Sequence, residues 1–250
     1  MAKPDFLIIG TQRGGTTSLN HVLSEHADIR MSSIKEIHFF DQHFSNGAAW
    51  YESFFPDDDV TPKTRRGEAT PMYLFHPHVP ARVRQLLPDV RLIVLLRDPV
   101  QRAYSHYMLE RERNEESITS FREVVELEDE RVSKETEKLL KDPEYFSTDF
   151  ARYTYMRRGL YGEQLQRWFE YFQRDRFLIL RSEDLFSDPD TELRKINDFL
   201  GIRQLVSKPY PMLNKKRHDE LPEEFKRELP AYFTEDGKLL RSLAGERFTW

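Results

Sequence analysis

A chain of 250 residues with 38 Lys and Arg against 43 Asp and Glu carries a formal net charge of −5, so attraction of its whole surface to nucleic acid or to an anionic membrane is not expected. The absence of cysteine excludes a disulfide framework, thiolate zinc sites and cysteine nucleophiles, and it fits a reducing compartment. The longest apolar run, Leu92 to Leu96, is far shorter than the roughly 20 residues that span a bilayer, and the first residues show no signal-peptide pattern. We therefore expect a soluble, cytoplasmic protein in which any anion site is local.

The first predicted element is a buried strand, Phe6 to Ile9, closed by Gly10. Apolar residues at helical spacing begin at Leu19, so the order is strand, glycine-rich loop and helix. Helical segments near 50–55 and 78–87 follow along the chain.

Two later apolar runs predict the same layout. Leu92 to Leu96 predicts a buried strand, after which Asp98 can cap a helix and Pro99 suits the first helical position. Phe177 to Leu180 predicts a third strand, and a helix from about 189 to 200 ends at a glycine. Strands that alternate with helices imply an α/β fold, with a mostly parallel sheet flanked by helices and ligands at the carboxyl ends of the strands.

The remaining segments fit one domain over residues 1–250. Residues from about 110 to 145 are densely charged and predict a helical insertion that is exposed to solvent. Residues 153–173 predict an amphipathic helix, and a basic C-terminal segment runs from about 208 to 250. The sequence shows no internal repeat, low-complexity tract or convincing linker.

The glycine-rich loop nearly matches the phosphate-loop pattern. Thr16 stands where the phosphate-reaching lysine is expected, and the cation of the loop is Arg13. Backbone N–H groups at the start of a helix still favour an anion. A nucleoside triphosphate needs Mg²⁺ held by a hydroxyl and a second-strand Asp, whereas Arg97 follows the second strand here and favours another phosphate. The alternative for this glycine-rich turn is close packing alone.

A second anion pocket is predicted beyond the next strand. Arg97 ends that strand, and Ser105 lies on the same face of the following helix as Asp98 and Arg102. Asp98 can simply cap the helix and Arg102 can simply pair with it, so Arg97 and Ser105 are the stronger candidates. Two anion pockets at neighbouring strand ends suit a nucleotide that is phosphorylated at two separate places.

Four ordered motifs resemble the sulfotransferases that use 3′-phosphoadenosine 5′-phosphosulfate (PAPS), and most closely the group with the heparan sulfate sulfotransferases and their bacterial relatives. The motifs are Thr11 to Leu19, Lys35 to Asp41, Glu68 to Pro71 and Leu96 to Ser105. The resemblance implies a P-loop-like fold, PAPS as sulfonate donor, PAP as product and no metal. It also implies a 3′-phosphate site at Arg97 and Ser105. The loop residues that it assigns to the 5′-phosphosulfate are Arg13, Gly14, Gly15, Thr16, Thr17 and Ser18.

The resemblance also implies catalytic roles. Glu36 is the base that takes the acceptor proton, although the ordinary pKa of His38 would let it serve as well near neutral pH. If this stretch is extended, both side chains point to one face. Arg13 stabilises the charge that grows on the leaving phosphate. Lys35 orients the sulfonate or is simply solvated, and Glu68 lines the acceptor side or caps the next segment.

Further residues are predicted to complete the site. Tyr161 belongs to a segment that resembles the family segment near the adenine or the 3′-phosphate, with packing as the alternative. Lys216 and Arg217 can close over the nucleotide, or form a solvated charge run. The acceptor cleft is expected to include aromatic residues, namely Trp50, Tyr51, Tyr73 and Phe75.

The motifs depart from the family pattern at two positions. Arg13 stands where lysine is usual, and Ala69 stands where some carbohydrate-specific members have lysine. The acceptor of those members therefore does not transfer to this chain. The expected partner is a small-molecule or carbohydrate acceptor, bound through a hydroxyl or an amine, with no nucleic acid polymer and no membrane. Two alternatives stay open: a nucleotide or small-molecule kinase with a degenerate phosphate loop, and a non-catalytic adenine-nucleotide binder.

Overall fold

A computed structural model describes residues 3–55, 61–203, 210–211, 213 and 220–250. Within these residues the strands are β1 (Phe6–Gly10), β2 (Ile29–Met31), β3 (Arg65–Ala69), β4 (Arg91–Leu96) and β5 (Phe177–Arg181). The helices are α1 (Thr16–Ser24), α2 (Phe39–Gln42), α3 (Gly47–Glu52), α4 (Met72–Phe75), α5 (Val79–Leu86), α6 (Pro99–Glu112), α7 (Phe121–Lys141), α8 (Thr148–Tyr153), α9 (Tyr161–Phe169), α10 (Ser182–Ser187), α11 (Pro189–Leu200), α12 (Glu223–Glu228) and α13 (Thr234–Ala244). Short 3-10 helices lie at Phe44–Asn46, Arg157–Gly159, Arg174–Arg176 and Leu229–Phe233.

The strands form one parallel sheet in the order β2-β3-β1-β4-β5 across the described residues. The three predicted strands, β1, β4 and β5, are confirmed within one residue at either end. The helix caps predicted at Asp98 and Gly201 are also present, since the Asp98 side chain accepts the Gln101 N–H and Gly201 has a left-handed φ of 66°. The α/β fold with a parallel sheet is thus confirmed.

The sequence analysis missed β2 and β3. β2 has three residues, too few for a pattern, and β3 contains Arg65, Arg66, Gly67 and Glu68 rather than an apolar run. In β3 the glycine lies against the ring of Phe6, because a Cβ at this position would lie 2.2 Å from that ring. Packing against residues distant in the sequence therefore stabilises β3, so the local sequence pattern does not predict it.

The described residues group into two compact units. One comprises residues 1–96 and 167–214, and its core lies against the sheet around Ile8, Leu19 and Ile93. The other comprises residues 97–166 and 215–250, with a core around Tyr107, Phe121 and Tyr155. The single domain predicted for residues 1–250 stays a prediction.

The charged insertion belongs to the second unit and is largely helix α7. Phe121 and Val132 are buried, as the helical spacing predicts for one face, whereas Val125 is only partly buried. Glu128 is also buried and accepts the backbone N–H groups of Met156 at 2.6 Å and Arg157 at 2.9 Å. The insertion was predicted to be exposed to solvent, but one face of α7 is buried and includes a charged residue.

The amphipathic segment at 153–173 is broken rather than one helix. α8 ends at Tyr153 and α9 begins at Tyr161, with a 3-10 turn between them. In the described part of the chain, no helix has the length and apolar character needed to cross a membrane.

Candidate active site

The glycine-rich loop joins β1 to α1, and the first N–H groups of α1 follow directly after it. Gly15, the N-cap residue, has a left-handed φ of 92°, and no described side chain caps the helix there. The first N–H groups of a helix have no acceptor within the helix. A side chain at Gly14 would lie 2.8 Å from the Leu95 carbonyl oxygen. The loop therefore fits a phosphate or sulfonate group.

Side chains of the same unit hold this loop in place. The Ser182 hydroxyl donates to the Gly14 carbonyl, and the Ser18 hydroxyl accepts the Leu213 N–H at 3.0 Å. Thr16 and Ser18 are buried, whereas Arg13 and Thr17 are partly exposed. Among the predicted loop residues, Arg13 and Thr17 are thus the side chains with access to solvent.

The segment from Lys35 to Asp41 lies at the same edge of the sheet as the loop. The Glu36 N–H donates to the carbonyl oxygen of Ala69 at 3.0 Å, and Ala69 is the last residue of β3. β3 is the neighbour of β1, with Ile8 opposite Ala69. Because parallel strands share a carboxyl edge, the fold brings Glu36 to the edge from which the glycine loop leaves.

The backbone of this segment differs from the extended conformation that the sequence analysis considered. Glu36 and His38 have left-handed φ values of 63° and 54°. Ile37 between them is buried, and the two polar side chains still meet, with Glu36 Oε2 3.7 Å from His38 Nε2. The extended backbone was wrong, but the two side chains do share a face.

The charges of this group are fixed by neighbouring residues. Partial desolvation alone would raise the pKa of Glu36, but the hydrogen bond with His38 and the charge of Lys35 lower it to about 2. Desolvation alone would lower the pKa of His38, but hydrogen bonds to Asp41 and Glu36 raise it to about 10. At neutral pH Glu36 is therefore a carboxylate, and His38 is an imidazolium without a lone pair for a proton.

Asp41 is the residue of this group that the sequence analysis missed. It is buried, and its Oδ2 lies 2.8 Å from Nδ1 of His38. A signal was present, because a His and an Asp three residues apart can meet on a helix.

Glu68 lies beneath these residues in β3 and is fully buried. Its carboxyl group accepts hydrogen bonds from the hydroxyls of Tyr51 at 2.7 Å and Thr70 at 3.1 Å. Burial raises the pKa of Glu68 to about 7, although these hydroxyls and that of Tyr73 partly oppose the shift. Because the Glu68 side chain is fully buried, it has no exposed surface with which to make the predicted contact with a substrate.

The aromatic residues predicted for an acceptor cleft divide into two kinds. Tyr51 and Tyr73 are fully buried, so the expectation that they line a cleft was wrong. Their bulk completes an aromatic core with Phe39, whose ring stacks on Tyr51 at 4.4 Å. Trp50 and Phe75 are partly exposed.

The second predicted anion pocket lies in the other unit. Arg97 follows β4 directly and is partly exposed, and Ser105 is fully buried in α6. The Tyr161 hydroxyl donates to the Arg97 carbonyl oxygen at 2.9 Å. Arg102 is fully buried and donates to the Tyr155 carbonyl. Lys216 and Arg217 lie outside the described residues.

Tyr161 also lines a cavity of about 280 Å³ within that unit. Pro99, Phe233, Leu240 and Trp250 make its wall mainly apolar. For metals, no group of three or more His, Cys, Asp or Glu among the described residues could hold an ion.

Fold and site together define a class of protein: a P-loop-like α/β enzyme with an anion-binding loop after the first strand and an ionised carboxylate at the same edge. Residues 3–223 match the family model described as the sulfotransferase domain. The chain belongs to this family and is a sulfotransferase.

Several known proteins are similar to this chain. It is 28% identical to the membrane-associated sulfotransferase kil1 of Dictyostelium discoideum, over 99% of this chain and 66% of that protein. It is 29% identical to the human heparan sulfate glucosamine 3-O-sulfotransferase 6, over 99% of this chain and 73% of that protein. The chain thus spans about two thirds of the length of the first of these relatives.

Solved structures agree with this assignment. A crystal structure of a sulfotransferase from Alicyclobacillus acidocaldarius shares 29% identity with a TM-score of 0.78, covering 97% of this chain and 96% of that one. A mouse sulfotransferase complexed with PAP shares the fold, with 17% identity, a TM-score of 0.51, and coverage of 96% and 63%.

Proposed function

We propose that the protein transfers the sulfuryl group of PAPS to a hydroxyl or amine group of a carbohydrate or small-molecule acceptor. The observation that carries this proposal is the placement of the glycine loop and Glu36 at one edge of the sheet. The N–H groups that follow the glycine loop can bind an anion, and the Glu36 carboxylate can accept a proton.

The donor side is assigned from the loop and from the family. The N–H groups at the start of α1 and the Arg13 guanidinium bind the 5′-phosphosulfate and stabilise the charge that develops on the leaving phosphate oxygen. We assign the 3′-phosphate to Arg97, which is partly exposed. The resemblance also implies Ser105, but its side chain is fully buried in α6 and has no exposed surface for this contact in the structure. Tyr161, Lys216 and Arg217 complete the nucleotide site in this proposal.

The reaction is an in-line displacement at sulfur. The acceptor oxygen or nitrogen forms a new bond to sulfur while the bond between sulfur and the bridging phosphate oxygen breaks. The bonding electrons leave with the phosphate, so PAP is released. The proton of the acceptor passes to the carboxylate of Glu36, since His38 is already protonated. Lys35, whose Nζ donates to Glu36 Oε1, orients the sulfonate in this proposal.

The acceptor is assigned more coarsely than the donor. The human relative is named for heparan sulfate glucosamine, which favours a sugar hydroxyl here as well. Ala69 stands where some carbohydrate-specific members carry lysine, so the particular acceptor of those members is not carried over to this chain. The cytoplasmic location expected from the sequence stays a prediction.

The test is a transfer assay with radiolabelled PAPS and a panel of glucosaminyl oligosaccharides, simple alcohols and amines. We expect label in an acceptor with the wild-type protein, and a decrease in turnover of about 10²-fold to 10⁴-fold for Glu36→Gln. Calorimetry should show unchanged affinity of this variant for PAP. Glu25→Gln, at an exposed position of the same unit, is the matched control. Failure of the wild-type protein to bind PAP would refute the proposal.

A further inference from the structure

Glu68 is a buried carboxyl group to which the proposed reaction gives no chemical step. Removing a carboxyl group from water is costly unless donors satisfy it. Here the donors are hydroxyl groups, with Tyr51 and Thr70 at 2.7 Å and 3.1 Å and the Tyr73 hydroxyl as a further partner. Two of these three hydroxyl groups belong to Tyr51 and Tyr73, which also contact Phe39 at the start of α2.

The first of these tyrosines, Tyr73, takes the place of a helix cap for α2. Its hydroxyl oxygen accepts the N–H of Phe39 at 3.1 Å and, more weakly, that of Phe40 at 3.5 Å. The N-cap residue of α2 is His38, and no described side chain caps the helix there. The Tyr73 oxygen therefore satisfies N–H groups that a Ser or Asp cap would otherwise serve.

The second tyrosine, Tyr51, holds the same end of α2 by stacking. Its ring lies 4.4 Å from that of Phe39, with an angle of 12° between the planes. Tyr51 and Phe39 are both buried, so neither ring has room to move away. Both tyrosines thus link Glu68 to the first residue of α2.

The start of α2 determines the geometry of the candidate base. His38 immediately precedes α2 and Asp41 lies within it, and their side chains are 2.8 Å apart. His38 in turn lies 3.7 Å from Glu36. A displacement of α2 by about 1 Å is enough to cost up to about 10²-fold in rate in other enzymes.

We propose that Glu68 is a positioning residue for sulfuryl transfer, which acts through Tyr51 and Tyr73 to hold the start of α2 and so keeps His38 paired with Asp41 and facing Glu36. This inference rests on the proposed function, in which Glu36 accepts the proton. It gives Glu68 a different role from the substrate contact that the sequence predicts, because the side chain is fully buried.

Electrostatics support the assignment. Burial raises the pKa of Glu68 to about 7, and the charge of Asp41 adds to this rise while the three hydroxyls oppose it. The titratable groups that face the carboxyl group are Tyr51 from α3, Tyr73 from α4 and Asp41 from α2. A neutral amide at position 68 would change which hydroxyls donate to it.

Two variants test the proposal. Glu68→Gln keeps the size of the side chain and replaces the titratable carboxyl group by an amide, and Tyr73→Phe removes the oxygen that accepts the α2 N–H groups. We expect both to lower kcat by about 10-fold to 100-fold with the KM for PAPS unchanged. Nuclear magnetic resonance should show the pKa of His38 moving from about 10 toward 6.5 in both. In a Glu36→Gln background, Glu68→Gln should cause no further loss of turnover.

The control and the contrary outcomes are equally definite. Glu128→Gln changes a buried carboxyl group of the other unit whose pKa is also raised to about 7, and it should leave kcat and the His38 titration unchanged. An unchanged His38 titration in both variants overturns the proposal, with or without a change in kcat. Additive losses in the Glu36→Gln background overturn it as well. If the wild-type protein transfers no sulfuryl group, the proposed function fails, and the His38 titration alone decides whether Glu68 positions α2.

Discussion

Asp41 contributes, together with Glu36, to the high pKa of the His38 imidazole. The 2.8 Å contact between Asp41 and His38 is made by a buried carboxylate and contributes to the high pKa of His38. We expect Asp41→Asn to lower the pKa of His38 by at least about one unit, since a neutral amide no longer stabilises the imidazolium. A titration followed by nuclear magnetic resonance measures this directly. An unchanged His38 titration would show that Asp41 has no such role.

Gly14 shows how little space the loop leaves. A methyl group there would lie 2.8 Å from the Leu95 carbonyl oxygen and 2.9 Å from Thr11. We therefore expect Gly14→Ala to lower the free energy of unfolding by about 1–3 kcal/mol and to weaken PAP binding. Chemical denaturation and calorimetry measure the two effects. Gly237→Ala is the matched control, because Gly237 lies within α13 and its nearest neighbour would be the end of Arg241 at 3.4 Å; it should be neutral or slightly stabilising.

At the scale of the element, α6 carries Ser105 from its cap at Asp98. The Asp98 side chain accepts the Gln101 N–H at 2.8 Å. Removing such a cap costs about 1 kcal/mol, so Asp98→Ala should lower stability by that amount and weaken PAP binding if α6 presents the 3′-phosphate site. Asp188→Ala removes the corresponding cap of α11, which accepts the Thr191 N–H at 3.2 Å. Equal losses of PAP affinity in both variants would argue against a 3′-phosphate site on α6.

The elements also show what local sequence can predict. β1, β4 and β5 are apolar runs followed by caps or glycine, so composition and spacing identify them. β3 escapes because two of its three buried positions are Gly67, which packs against Phe6, and Glu68, whose carboxyl group accepts hydrogen bonds from hydroxyls of α3 and α4. Phe6 and Tyr51 are distant from β3 in the sequence, so a local pattern does not reveal their contacts with Gly67 and Glu68.

For the candidate site, the sequence predicts the residues and their chemistry but not the backbone conformation. The motifs that contain Arg13 and Glu36 are contiguous in sequence, so their chemistry could be inferred from residue types. The left-handed backbone at Glu36 and His38 could not, because it depends on Ile37 entering the core and on the Glu36 N–H bonding to Ala69. Neither interaction has a local signature.

At the scale of the whole molecule, two buried carboxyl groups contribute to the dependence of stability on pH between about 4.5 and 7. Glu68 and Glu128 have folded-state pKa values of about 7, above the ordinary value of 4.5. The folded state therefore binds more protons than the unfolded state between pH 4.5 and 7, and stability falls as pH rises through this window. Each group contributes roughly 3 kcal/mol to this fall.

We expect Glu68→Gln to make the decrease in unfolding free energy between pH 5 and 8 less steep, because the amide does not titrate. Denaturant unfolding at a series of pH values measures the slope. Glu170→Gln, at an exposed position, should leave the slope as it is in the wild-type protein. A slope that is equally steep in Glu68→Gln would show that the Glu68 carboxyl group is not protonated in the folded state near neutral pH.

The contact of Phe6 with Gly67 has a consequence for how the enzyme could be altered. Phe6 of β1 and Gly67 of β3 are partners in the sheet, and the Phe6 ring occupies the space that a side chain at position 67 would need. β1 leads to the glycine-rich loop, and β3 ends at Ala69, whose carbonyl oxygen accepts the Glu36 N–H. A larger residue at position 67 would therefore move this loop away from Glu36 without contacting either of them. Laboratory evolution toward bulkier acceptors is therefore expected to change the loops at the open edge and to leave Gly67 untouched.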